Sequence, residues 1–474
     1  MVSSANATTS PMASSSNAES PMQLTQGPQF QGRPSKRMHV MAKPIGAVCN
    51  IDCNYCYYLS KQDLLEYKKG CSPEMDEAML EQYIKNYIQG QNTPEIIFSW
   101  QGGEPTMLGL NYFQKIVELQ AKYQPPGVKI SNDLQTNGTL LDDKWCEFLA
   151  KHNFLVGLSI DGPQMLHDAY RTNRAGRGTH KQVMQAVELL HKYKVSFATL
   201  TCVNNLTSQN PLEVYRFLRD EVRSPQMQFI PIVEQKTFRT DAPQTGQSSE
   251  QLRQGDKRLI PGNANSIMEP WCVSDEAWGN FLIAVFDEWA QKDIGKVFVQ
   301  YFEASVETWM GRKNPLCTLG SLCGKGLAME PNGDVFSCDH YVYPEYKIGN
   351  INTDSLENMA YSKGQQEFGF AKSRTLTSQC QQCDYQFACY GECPKNRFIK
   401  TRNGEPGLNY LCAGWKKFFS HADKALAYIL RATGNPVAHG KFSDRAVAEQ
   451  RKMAMQSVVH SANTTNATGF NPKF

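Results

Sequence analysis

Three thiols crowd one short stretch, CNIDCNYC, in which Cys49, Cys53 and Cys56 stand at C-x3-C-x2-C spacing. Thiolates are soft ligands that select zinc or iron–sulfur clusters. A structural zinc takes four ligands, commonly as two C-x2-C pairs, and no histidine stands close to these three cysteines. A [4Fe–4S] cluster has four iron corners, so three cysteines from one loop hold three of them and leave the fourth iron open to a ligand. Spacing alone leaves both metals open.

A second field of thiols lies far downstream. Cys317, Cys323 and Cys338 read C-x5-C-x14-C, and Cys380, Cys383, Cys389 and Cys393 read C-x2-C-x5-C-x3-C, with Cys412 last. Eight thiols suffice for two fully ligated clusters, or for two structural zinc sites. Of the chain's 15 cysteines, Cys71, Cys146, Cys202 and Cys272 then remain. Cys146 and Cys202 sit in helix and strand patterns and read as buried thiols; Cys71 and Cys272 have no evident role.

The elements that must position these groups alternate strand and helix. HVMAKPIGAV reads as a strand running into the first cysteine loop, and EIIFSW, VKISNDLQ, FLVGLSI, SFATLTCV and MQFIPIV as five more. Between them lie helical patterns in DEAMLEQYIKNYIQ, NYFQKIVELQAKY, DDKWCEFLAKH, THKQVMQAVELLHKYK (with Thr179 as its N-cap) and PLEVYRFLRDEV. About six β–α units imply a parallel sheet or partial barrel, whose site lies at the C-terminal strand ends. The cysteine loop, QGGEP, TNG and SIDG all fall at such ends. After Lys292 cysteines become dense and long helical patterns give out, apart from HADKALAYILRA.

C-x3-C-x2-C after a first strand, with the aromatic Tyr55 before its last cysteine, resembles the radical S-adenosylmethionine (SAM) superfamily. The later series resembles the SPASM extension of that superfamily, and as a whole the chain is most similar to the anaerobic sulfatase-maturating enzymes. The resemblance implies a partial (β/α)6 radical SAM barrel over 38–300, with a polar loop insertion at 236–270. A small Cys-rich SPASM iron–sulfur domain follows over 301–432, flanked by disordered tails at 1–37 and 433–474. It implies three [4Fe–4S] clusters: one on Cys49, Cys53 and Cys56 that binds SAM, one on Cys317, Cys323, Cys338 and Cys393, and one on Cys380, Cys383, Cys389 and Cys412. SAM contacts are implied for Tyr55, Gly102, Gly103 and Glu104 of QGGEP, for Ser159 and Arg171, and for Val233 on the adenine side. Left to their own patterns, Ser159 reads equally as a cap, Arg171 as a surface charge and Val233 as core. Asp339, directly after Cys338, is implied to be the catalytic base, and burial beside a cluster is expected to raise its pKa; His340 is the alternative base. Tyr58, Gln101 and Gln135 are implied near the peptide substrate, where packing roles are also open.

The implied reaction oxidises a Cys or Ser in a sulfatase C/S-x-P/A-x-R segment to Cα-formylglycine without oxygen. The partners are then an unfolded or nascent sulfatase chain and an electron donor such as flavodoxin or ferredoxin. The alternatives are a SPASM maturase that crosslinks a ribosomal peptide, and a non-catalytic zinc-stapled scaffold. A net charge of +3 over 474 residues gives no case for nucleic acid or an anionic membrane as partner. No stretch approaches the ~20 apolar residues of a membrane span. The Ser-, Asn- and Pro-rich start lacks an apolar signal core, so a cytoplasmic location with reduced cysteines is expected.

Overall fold

The computed structural model describes residues 29–65, 67, 74–243, 251–450 and 452–453. Its centre is a ten-stranded sheet. The strands, in chain order, are β1 (His39–Ala42), β2 (Glu95–Trp100), β3 (Lys129–Thr136), β4 (Leu155–Ser159), β5 (Phe197–Val203), β6 (Gln226–Pro231), β7 (Phe298–Val299), β8 (Gly326–Met329), β9 (Asp334–Phe336) and β10 (Lys347–Asn350). Across the sheet they run β7-β6-β5-β4-β3-β2-β1-β8-β9-β10. Everything from β7 to β8 is parallel, and β9 and β10 turn back as an antiparallel meander. The strand continuous with the first half's β1 is therefore β8, which comes from the cysteine-rich second half.

The expected helices form as α1 (Glu77–Gln89), α2 (Leu110–Tyr123), α3 (Asp143–Lys151), α4 (His180–Lys192) and α5 (Pro211–Arg216), the last continuing into a π turn. Asp76 and Asp142 cap α1 and α3 by accepting from Met79 N and Trp145 N. Thr179 does not cap α4. Its hydroxyl donates to Arg171 O, and Asp168 Oδ1 instead accepts from His180 N at 2.8 Å. β1 is shorter than the expected run, because the chain turns at Lys43, with Gly46 at φ +57° closing the turn by donating to Lys43 O at 2.9 Å.

Long helices do not give out after Lys292. α6 (Asp275–Lys292) is joined by α7 (Gln300–Trp309), α8 (Lys363–Arg374) and the 21-residue α9 (Cys412–Ala432). α7 and α8 have short apolar faces, which leave little helical period in the sequence. α9 starts at an expected ligand, and its long face of Trp415, Phe418, Phe419 and Leu426 is buried. Trp278 of α6 meets Trp415 edge-on at 5.5 Å and Phe286 meets Phe418 at 5.7 Å. Each such buried side chain contributes roughly 1.5–3 kcal/mol.

The expected tails and insertion are partly structured. Asn92 donates to the carbonyls of Phe30, Arg33 and Pro34, so the chain is anchored from residue 29. Beyond residue 433, Val437 is buried and Ala438 N donates to Trp309 O at 2.8 Å. In the polar insertion Phe238, Leu259 and Met268 are buried, and Leu252–Arg253 pairs with Ile399–Lys400 of the second half. These few apolar anchors were hidden in polar surroundings. Residues 1–28 and 454–474, residues 244–250 of the insertion, and Cys71 lie outside the described residues. Among the described residues no helix is long and apolar enough to cross a membrane.

α6 and α9 cross at a pair of glycines: a Cβ on Gly414 would stand 2.1 Å from Asp275 O, and one on Gly279 2.8 Å from Gly414 O. Both obstacles are backbone, so neither can swing aside. Gly414→Ala is expected to lower stability by about 1–3 kcal/mol in thermal or denaturant melts, and to shift α9 enough to disturb Cys412 two residues away.

Candidate active site

The loop after β1 carries Cys49, Cys53 and Cys56, all turned inward. Cys53 ends a short strand, Ile51–Cys53, paired antiparallel with Arg171–Asn173 so that Cys53 faces Arg171 directly. That register brings the Arg171 guanidinium 4.0 Å from Cys53 Sγ and 3.7 Å from Cys202 Sγ. Asp161, at the end of β4, holds Arg171 by an ion pair at 3.0 Å and also accepts from the Tyr55 hydroxyl. Arg171 is thus a buried, oriented cation beside the cysteine loop and not a surface charge. Asn137, after β3, points an amide at Cys49 Sγ at 3.7 Å. Burial pushes the Cys49 thiol up to about 11 and raises Cys53 and Cys56 as well. Thiols placed this way ionise only against a strong positive charge, as a cluster's irons supply.

QGGEP closes on this loop. Gly103 N donates to Gly46 O at 2.7 Å and Glu104 N to Val48 O at 2.9 Å. A Cβ on Gly103 would sit 2.0 Å from Val48 O, and Gly102 has φ +125°. The glycines therefore serve first to let two backbone turns touch. Glu104 is fully buried: Oε1 accepts from Thr106 N, Thr106 Oγ1 and Thr136 Oγ1, and Oε2 from Asn137 N at 2.7 Å. One lone pair on Oε2 is left for a further donor such as an ammonium. Ser159 Oγ accepts from Gln135 Nε2 at 3.0 Å, which ties two strand ends together. Gln101 N donates to Ala42 O, fixing its strand end against β1. Val233 is buried, and its carbonyl accepts from Lys395 at 3.1 Å.

Asp339 sits across the same mouth, brought there by β8 and β9. Lys43 Nζ lies 2.5 Å from its carboxylate and the Tyr57 hydroxyl donates to it. The expectation of a raised pKa is not met. Burial does push the carboxyl up, but the ammonium of Lys43, then His340 and the Tyr57 hydrogen bond, outweigh it and hold Asp339 at about 2. The group is a standing carboxylate. His340 turns away, with Nδ1 3.5 Å from Cys393 Sγ, and burial pushes it down to about 4. The Tyr58 hydroxyl donates to Glu330, at the end of β8, and its ring lies under Lys43 at 3.9 Å.

The residues that sequence reasoning passed over are Lys43, Tyr57, Lys61, Asp161, Glu234, Glu330 and Lys395. Position at a strand end was the available signal for Lys43, Asp161 and Glu330. Lys395 reaches from the second half to Glu234 at 2.6 Å, and Cys272 pins Glu234 by exchanging hydrogen bonds with its backbone N and O. Cys146 is buried in α3, as expected.

The eight downstream thiols gather as two sets. Cys338 and Cys393 lie with Cys317 and Cys323, and their charges act on one another. Cys380, Cys383, Cys389 and Cys412 line one pocket of about 520 Å³, its open mouth included, with Trp415 and Phe419 in its wall. All described cysteines are free. Among the described residues no three His, Cys, Asp or Glu side chains stand close enough to hold a single metal ion. Spread thiols around a pocket fit a cluster.

The family model of the Radical SAM superfamily matches residues 44–218, and that of SPASM, an iron–sulfur cluster-binding domain, matches residues 322–384. A serine-type anaerobic sulfatase-maturating enzyme of Bacteroides thetaiotaomicron is 44% identical over 404 residues, covering 85% of this chain and 94% of the relative. A cysteine-type enzyme of Clostridium perfringens is 31% identical, over 81% of this chain and 96% of the relative. The chain belongs to the anaerobic sulfatase-maturating enzymes. A solved structure described as native anSMEcpe with bound AdoMet and Cp18Cys peptide superposes with a TM-score of 0.69 at 29% identity, over 83% of this chain and 99% of that one. The radical SAM barrel with its SPASM extension is the fold, and neither the scaffold nor the crosslinking alternative is favoured.

Lys61 is the odd charge of the mouth. It is 1% exposed, its ammonium has no hydrogen-bond acceptor among the described residues, and it stands 3.2 Å over the Tyr343 ring. Burial pushes it down to about 7. Because its folded pKa lies below that of a free lysine, the burial cost is fully present below about pH 7 and fades as pH rises toward 10.5. Lys61→Met is therefore expected to stabilise the fold, by about 1–3 kcal/mol at pH 6, with the gain shrinking on titration to pH 9. Chemical denaturation at the two pH values checks both.

Proposed function

We propose that this chain oxidises a serine of a sulfatase C/S-x-P/A-x-R segment to Cα-formylglycine. The family supplies the reaction. Serine is favoured because the more similar of the two relatives above is the serine-type one, at 44% against 31%. The observation that carries the site assignment is Asp339: a buried carboxylate at the barrel mouth, oriented by Lys43 and Tyr57. Cys49, Cys53 and Cys56 would hold the cluster that binds SAM, and the two downstream sets would hold two auxiliary clusters. When bound, these groups supply one-electron chemistry: removal of a hydrogen atom from the target Cβ and a sink for the electron left behind.

The chain's own residues then have distinct tasks. Arg171, fixed by Asp161 and Tyr55, suits the carboxylate of SAM; Glu104 Oε2 suits its amino group. Ser159, Val233 and the QGGEP backbone line the remainder of that pocket. Gln101, Gln135 and Tyr58 bound the space for an extended peptide. Asp339 accepts the hydroxyl proton as the carbon–oxygen double bond forms. Conversion of CH2OH to an aldehyde releases two protons and two electrons: one of each as a hydrogen atom, the proton taken by Asp339, and the remaining electron. Lys43 holds this base ionised and oriented at the mouth. A flavodoxin or ferredoxin as donor and a cytoplasmic setting complete this reading.

Anaerobic reconstitution of the whole chain is expected to give about 12 iron atoms. Loss of Cys380 and Cys383 together should remove about four of them and leave SAM cleavage in place. With SAM, reductant and a serine peptide, mass spectrometry should find 5′-deoxyadenosine and an aldehyde. Asp339→Asn should abolish the aldehyde, by 100-fold or more, while deoxyadenosine still forms. Aldehyde on a cysteine peptide alone would reverse the serine assignment.

A further inference from the structure

Two cations lie buried between the two downstream thiol sets. Lys372, on α8, is 1% exposed and donates to Cys317 O at 2.5 Å and Thr318 O at 2.7 Å. Arg397 is 2% exposed. Its guanidinium donates to Lys372 O at 2.6 Å, Gly391 O at 2.9 Å, Tyr390 O at 2.5 Å and Glu392 O at 3.2 Å. Residues 390–392 join Cys389 of one set to Cys393 of the other. All three have positive φ, at 44°, 68° and 51°, which is costly for Tyr and Glu. Arg397 satisfies all three carbonyls and so holds this uncommon run in place.

Every hydrogen-bond partner of these two cations is a neutral carbonyl. The nearby Glu392 carboxylate accepts instead from Asn396 at 3.0 Å and Asn409 at 2.6 Å. Two buried cations side by side call for compensating anions. The Glu392 carboxylate acts on Lys372 from close by, and the thiols are the further anions at hand. Lys372 acts electrostatically on Cys317, Cys323, Cys393 and Cys389, and Arg397 on Cys323 and Cys380. Lys372 is bonded to the carbonyl of Cys317 in one set, and Arg397 holds the run that joins Cys389 to Cys393, so the pair is anchored between both sets. A cluster gains one negative charge on reduction, and net charge and hydrogen bonding around a cluster set its potential. A fixed cation favours the reduced form and raises that potential.

We propose that Lys372 and Arg397 form a cationic bridge between the two auxiliary clusters and raise the reduction potentials of both, which makes them acceptors for the electron released at the substrate. The bridge rests on the reading of these eight thiols as cluster ligands. Lys372→Gln and Arg397→Gln keep hydrogen-bond donors and remove charge. Each full-length variant is reconstituted without oxygen, its iron counted, and its clusters titrated electrochemically with EPR detection. The expected result is retained iron, auxiliary potentials shifted to more negative values, and an unmoved potential for the cluster on Cys49, Cys53 and Cys56. Lys372→Arg should stay near wild type. Retained iron with unshifted auxiliary potentials in both Gln variants would overturn the bridge. If Lys372→Gln loses iron, iron kept in Lys372→Arg supports the need for charge, and iron lost there too overturns it. Wild type that binds only about four iron atoms would overturn the cluster reading itself, and the bridge with it.

Discussion

The pairing of His39–Ala42 with Gly326–Met329 is the seam on which this molecule depends. A parallel ladder fixes register in one-residue steps, so it fixes how the two halves of the chain meet. On one side of the seam the strand ends in Lys43 and feeds the first cysteine loop. On the other it ends in Glu330 and, one hairpin later, in Cys338 and Asp339. The ion pair between Lys43 and Asp339 and the hydrogen bond from Tyr58 to Glu330 both cross it. A slip of one residue would turn each of these side chains to the opposite face and dismantle the mouth.

Charge is the second organising constraint. The mouth holds Lys43, Lys61 and Lys395 against Asp339, Glu234 and Glu330, all withdrawn from water. Lys43 and Lys395 each have a carboxylate; Glu330 takes two tyrosine hydroxyls instead. This leaves Lys61 unmatched and explains its depressed pKa. In the second half Lys372 and Arg397 donate to carbonyls and lie among thiols, with the Glu392 carboxylate acting on Lys372.

The two halves are also stapled at a distance from the sheet. Lys395 reaches back to Val233 and Glu234, Leu252–Arg253 reaches forward to Ile399–Lys400, and α9 lies along α6 through a contact close enough to require glycine on both helices. A helix that begins at Cys412 is thereby held by the first half's own helix. The second half has a buried aromatic core around Trp309, Tyr385 and Phe419, and these contacts join it to the first.

Strands and helices of the barrel were legible because each carries its own hydrophobic period, which is a local property: five of the six strands and the first four helices fall within a few residues of where the pattern puts them. The clustering of polar motifs at strand ends was legible for the same reason, once the strands were known. The division of the eight downstream thiols was not, because Cys393 follows Cys389 by four residues yet lies with Cys317, 76 residues upstream, across the left-handed run at 390–392. Nor was the state of Asp339. Its neighbour in sequence is a cysteine, and that suggested a raised pKa; its neighbour in space is Lys43, nearly 300 residues away, and a charge at 2.5 Å outweighs burial. Local order and the chemistry of the ligands are written along the chain, whereas pairing, register and the balance of buried charge depend on which distant residues the sheet brings within a few ångströms.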